Sequence, residues 1–166
     1  GTVQIAAHPA ALYFGAPTEN GDPIFITRQN GAFEESTVNV YVRALDQWDA
    51  IPLAPDLEAY HPFFSPDGTW IGFVTRRARY TVPVRGGSPI KLTDVELNRG
   101  ASWGEDGTIV FAAAPRSGLS RISEAGGEPE ALTAVAERET HRWPQILPGG
   151  KAVLFTSVSG ELETFD

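Results

Sequence analysis

The residues of this chain that could do chemistry are few, and their spacing narrows the chemistry further. Three histidines, His8, His61 and His141, stand far apart with no i, i+4 pair, so the sequence carries no local metal-ligand pattern. Cysteine is absent from all 166 residues, which removes thiolate nucleophiles, Cys-ligated zinc and disulfide frameworks together. No serine sits in a G-x-S-x-G elbow. The adjacent carboxylates Glu105-Asp106 and Glu34-Glu35 read as solvated turn and loop residues rather than as an acid–base pair. Arg76, Arg77 and Arg79 form a basic tip between two strands, read as a solvated hairpin end rather than as an anion site. That leaves Asp67 in "SPDGTW" (65–70), which is either a carboxylate that a reaction requires or half of an Asp-Gly corner.

Repetition decides between these. The stretches "FFSPDGTWIGFV" (63–74), "SWGEDGTIVFAA" (102–113) and "QILPGGKAVLFT" (145–156) each run from an aromatic or Ile through a polar turn ending in Gly to a strand centred on Phe. A fainter copy, "ENGDPIFITR" (19–28), places Gly21 four residues before Phe25, as Gly107 stands before Phe111. A second motif keeps the same step: "TVPVRGGSPIKLT" (81–93) returns as "SRISEAGGEPEALT" (120–133), with "YVRALDQWDAIPLA" (41–54) as a degenerate relative. Gly86-Gly87 recurs as Gly126-Gly127, 40 residues on. Since the carboxylate of Asp67-Gly68 survives in Asp106-Gly107 but is replaced in Gly149-Gly150 and Asn20-Gly21, Asp67 reads as a corner.

The elements that such corners join are short. Seventeen Gly and 13 Pro divide the chain into apolar runs too short for ordinary helices and rich in Val, Ile, Phe, Trp and Tyr. Only 55–60 and 133–140 look mildly helical, at the length of connections. A period of about 40 residues with four strands per repeat is the signature of propeller blades. The expectation is an all-β chain of β-propeller-type blades, each of four antiparallel strands. About four units, 8–54, 55–94, 95–133 and 134–166, make a single partial domain and an incomplete ring. In the second unit the strands are expected at 60–65, 69–75, 80–84 and 88–92. Phe73, Phe111, Phe155, Trp70 and Trp103 are the expected fillers between blades.

On these residues the chain resembles a known family. "FSPDGTWIGF" followed by "VPVRGGSPIKLT" is similar to the Pro-Asp repeat of TolB-like, WD-repeat-like β-propellers, and "RGASWGEDGTIVFA" with "HRWPQILPGGKAVLFT" resembles more narrowly the propeller appended to some bacterial serine/threonine protein kinases. The resemblance covers 38–158. It implies six-bladed rings, of which two blades would be lacking here, and it favours an extracytoplasmic or periplasmic setting without fixing the compartment. No Gly-rich loop, His-Arg-Asp or Asp-Phe-Gly occurs, so a sensing role rather than phosphoryl transfer is expected. The Asp box of sialidases is a different pattern, because Asp67, Gly68 and Thr69 are contiguous.

One constellation is left for binding. Superposing the repeats on Phe64, Trp103 and Ile146 places Tyr60-His61 on Arg99-Gly100 and on Arg142-Trp143, with His141 one step earlier. These positions open the innermost strands, whose edge rims the central channel of a propeller. Tyr60, His61, Arg99, His141, Arg142 and Trp143 could there grip an anion or a peptide terminus through charge-assisted hydrogen bonds. The expected function is a non-enzymatic ligand- or protein-binding module, the sensor part of a bacterial signalling protein, with no metal and no cofactor. The competing class is the propeller portion of a peptidase or of a propeller-based hydrolase or lyase. Thirteen basic against 21 acidic residues, net charge −8, speak against nucleic acid, and no apolar run approaches the roughly 20 residues of a membrane span. With Met absent even from position 1, the chain reads as a processed product or an excised piece, and an open arc favours a homodimer or larger oligomer over a four-bladed ring closed by 3–7.

Overall fold

The computed structural model describes residues 11–12, 24–30, 37–43, 48–49, 51–96 and 98–160. Among these, every regular element is a strand. Strands β1 (Ala11–Leu12), β2 (Ile24–Asn30), β3 (Thr37–Arg43) and β4 (Ile51–Pro52) form the first sheet in that order. The second holds β5 (Tyr60–Phe64), β6 (Trp70–Val74), β7 (Ala78–Pro83) and β8 (Ile90–Asp94). In the third, β9 (Ala101–Trp103), β10 (Thr108–Ala112), β11 (Leu119–Ser123) and β12 (Glu130–Ala131) repeat the same up-and-down order. The fourth pairs β13 (Glu139–Ile146) with β14 (Val153–Ser159). Neighbouring strands are antiparallel throughout, and the expected strands of the second unit are met within about two residues at each end.

Side-chain alternation explains why the sheets stack. Along β10, Ile109 and Phe111 join Leu92, Trp103 and Ile122 in a core against the second sheet, while Val110 and Ala112 join Leu119 in a core against Ile146, Val153 and Phe155 of the fourth. The third sheet is thus apolar on both faces, as a blade between two blades must be. Val40, Val42, Ile71, Phe73 and Val82 fill the first interface in the same way. Among the described residues only successive sheets touch, which is the arrangement of a partial ring. Asn20-Gly21, Glu34-Glu35, His8 and the closing segment 3–7 lie outside the described residues.

The corners behave as their sequence requires. Gly68 N donates to Ser65 O at 2.9 Å and Gly107 N to Gly104 O at 3.1 Å, turns in which the glycine takes φ of 68° and 76°. Asp67 accepts from Ser65 Oγ at 2.6 Å, Thr69 N at 3.0 Å and Thr69 Oγ1 at 2.8 Å, and Asp106 repeats the two threonine bonds on Thr108. These bonds hold both carboxyls below the usual carboxylate range. Asp67 is a corner.

The basic tip departs from expectation. Thr75 N donates to Ala78 O at 2.8 Å, and Thr75 Oγ1 contacts both Ala78 O and Ala78 N, closing the hairpin around Arg76 and Arg77 alone. Strand β7 therefore starts two residues earlier than the sequence pattern indicates. Arg79 pairs with Val74 inside the sheet and is 1% exposed, whereas Arg76 stays in solvent with Glu58 at 3.2 Å.

Candidate channel-mouth site

The openings of the innermost strands share one backbone device. His61, Gly100 and Trp143, the positions brought together by superposing the repeats, have φ of 49°, 91° and 52°. Register breaks between Tyr60 and Phe63 on β5, and between Arg142 and Gln145 on β13, mark the same bulge in two blades. Left-handed backbone is ordinary for Gly and uncommon for His or Trp, so these side chains are held against a local conformational preference. Gly100 is required for a second reason. A Cβ there would lie 2.8 Å from Cε3 and 3.0 Å from Cα of Trp143.

The structure brings three of the expected residues together. Trp143 N donates to Arg99 O at 2.7 Å, the His61 and Trp143 rings lie 5.8 Å apart, and Trp143 remains 49% exposed. His61 keeps solvent contact, but the surrounding protein and then the charges of Arg99 and Arg79 hold its pKa below the ordinary value, so it is neutral at pH 7. Arg142 follows on the same strand with its Nε buried and unpartnered. Tyr60 is directed elsewhere, its hydroxyl donating to Glu58 Oε2 at 3.4 Å.

His141 does not reach the mouth. Its ring is buried against Phe155 at 4.4 Å between centroids, with Nδ1 2.7 Å from Thr133 Oγ1 and Nε2 3.4 Å from Glu139 Oε1. Hydroxyl, imidazole and carboxylate stand in the order of a hydrolytic triad, yet Thr133 Oγ1 also accepts Leu119 N at 2.8 Å and the imidazole has no open face. The array ties β13 to the preceding blade. His141 N donating to Ser117 O at 3.1 Å does the same.

Sequence reasoning missed two residues beside the mouth. Arg79 lies with its guanidinium 4.5 Å from the Phe111 ring centre and its Nη2 3.4 Å from Asn98 Oδ1. Burial pulls its pKa down to about 9, which leaves it charged at neutral pH. A signal was present: counting back from the paired glycines, the 40-residue step sets Arg79 on Leu119, a fully buried apolar position. At the opposite ends of the same strands, a groove of about 860 Å³ between the second and third sheets is lined by Asp67, Glu105, Asp106, Glu124, Trp70 and Trp103. Asp67 and Asp106 are spent on turns and Glu124 on Trp103 Nε1, which donates to it at 2.9 Å.

Repeated up-and-down antiparallel sheets stacked face to face define a β-propeller fold. No protein-family model matches the sequence, and no curated protein matches it. Solved structures do. An Agrobacterium tumefaciens protein assigned to TolB is similar over 90% of this chain and 54% of its own, with 19% identity and a TM-score of 0.72. The β-propeller domain of the Trilobed protease from Pyrococcus furiosus, described as having an open velcro topology, is similar over 89% of this chain and 55% of its own, at 13% identity and TM-score 0.58. Porphyromonas gingivalis dipeptidyl peptidase 4 follows at 12% identity and TM-score 0.64, covering 87% of this chain and 29% of its own. This chain therefore spans about half the length of the first two, and the likenesses carry the fold alone.

Proposed function

We propose that this chain is a non-enzymatic propeller module that binds a small anionic ligand, or the acidic terminus of a protein, at the inner-strand openings, and that it serves as the sensor part of a bacterial signalling protein. One observation carries the reading: Trp143, half-exposed, is held in left-handed backbone with its ring beside His61 and its N–H on Arg99 O. Strained backbone that presents an indole and an imidazole to solvent is the economy of a binding site rather than of a core. The other reactive groups support the non-enzymatic part of the reading. Asp67 and Asp106 are consumed by turns and His141 by an interblade bond.

Ligand-dependent melting against a panel of small carboxylates, phosphates and short acidic peptides tests it. Arg99→Ala and Trp143→Ala are expected to weaken any hit by about tenfold or more, the effect of losing a charge-assisted hydrogen bond or a stacked ring. Unchanged affinity in both variants would overturn the site. Turnover of a proline-containing peptide by the isolated chain, or an α/β-hydrolase segment downstream in the parent reading frame, would replace the binding module with a peptidase propeller.

A further inference from the structure

Among the described residues, the buried side-chain polar atoms without a partner are Arg79 Nε, Asn98 Nδ2 and Arg142 Nε. All three are donors. Buried polar groups are paired in the great majority of folded proteins, so three orphan donors and no orphan acceptor form a consistent deficit. The first two belong to one cluster, since Arg79 Nη2 meets Asn98 Oδ1 at 3.4 Å. The third lies close in the fold: Asn98 precedes Arg99, whose carbonyl accepts the N–H of Trp143, the residue after Arg142. Arg79 is fully buried, and no carboxylate of the described residues pairs with it. Within a chain of net charge −8 it sits with its positive charge over an aromatic ring and beside an amide oxygen.

The structure assigns to Arg79 and Asn98, with Arg142 beside them, an oxyanion site set between the second and third blades behind the channel mouth, built for a small monocarboxylate. This goes beyond the binding reading above, sharing its anionic ligand class but standing on residues behind the mouth. The charge count selects the class: Arg79, the guanidinium that is fully buried, is neutralised by one monoanion, Arg142 being only partly buried, whereas a phosphate dianion would bring a second charge into the buried interface. Geometry selects it as well, because a planar carboxylate accepts in-plane donors from a guanidinium edge and an amide. Phe111 covers the guanidinium face, which leaves its edge for the ligand.

Acetate and inorganic phosphate, each against chloride at matched ionic strength, are the probes, and the melting temperature of the full chain is the readout. Acetate is expected to raise the melting temperature of the wild type. Arg79→Leu, which installs the residue that the next blade carries at Leu119, is expected to fold with unchanged or higher melting temperature and to lose the acetate response. Arg79→Lys keeps a charge without the Nε–H edge and is expected to weaken acetate by about tenfold. No acetate effect on the wild type, an equal effect on wild type and Arg79→Leu, or stronger protection by phosphate than by acetate would each overturn the proposal. The arms separate it from the mouth reading. Acetate protection lost in Arg79→Leu but kept in Arg99→Ala would uphold this site and count against the mouth; the reverse pattern would uphold the mouth and remove this site.

Discussion

Asp67 accepts three hydrogen bonds, and all of them come from its own turn. Asp67→Ala is therefore expected to cost only roughly 0.5–1.5 kcal/mol, because the turn is exposed and Gly68 still supplies the positive φ. Gly68→Val, which places a β-branched residue in that backbone, is expected to cost more; paired urea melts measure both. His61 gives a prediction of a different kind. Its folded pKa lies below the ordinary value of 6.5, first through desolvation and then through the charges of Arg99 and Arg79. The unfolded chain thus takes up the proton at a higher pH than the folded chain. Stability present above 6.5 is lost as the pH falls through that value toward the depressed one. Arg79, Arg99 and Trp143 face the ring, and the effect is small because the ring keeps solvent contact. His61→Gln should flatten this limb of the melting-temperature profile, and a wild-type profile already flat below neutrality would contradict the assignment.

At the level of the strand, β6 shows how a blade interface is made at a position without a side chain. Gly72 faces Phe63 across the β5–β6 pair, and a Cβ on Gly72 would fall within the Phe63 ring. The aromatic supplies the packing that the glycine lacks. Gly72→Val is expected to destabilise by roughly 1–3 kcal/mol, read as a lower urea midpoint at unchanged slope, since Phe63 would have to leave its place in the second interblade core. The strands were largely legible in the sequence because a period of two and a Gly-ended turn are local signals. The left-handed openings were legible in position but not in conformation: the repeat alignment put His61 and Trp143 on Gly100, and an aromatic aligned with a glycine is a trace of a bulge. Arg79 was hidden because three basic residues in four read as a solvated tip, while strand pairing with Val74 turns one of them inward. His141 was misleading for the same reason. Burial depends on which neighbour a side chain meets, and Thr133 and Phe155 come from other strands or turns of the chain.

At the scale of the whole molecule, the last described sheet leaves apolar side chains uncovered. Leu154 on β14 is 63% exposed and Leu147, before the turn, 41%, while β14 pairs only with β13 among the described residues. An apolar face beside a strand edge that is unpaired among the described residues is a surface for a second copy, so the chain alone is expected to form a symmetric dimer burying more than about 1,000 Å². Sedimentation equilibrium at the monomer mass of 17.9 kDa across a wide concentration range would rule this out. The pattern of contacts has a further consequence, for the way the molecule opens. Because among the described residues each sheet touches only its sequence neighbours, unfolding should follow nearest-neighbour statistics, with blades released from the ends inward. The second and third sheets are braced on both faces and the fourth on one. Amide hydrogen exchange should accordingly be slowest in β6 and β10 and fastest in β14, with a gradient between them. A single exchange rate shared by all the sheets would mean that the arc opens as one unit, with no end from which to fray.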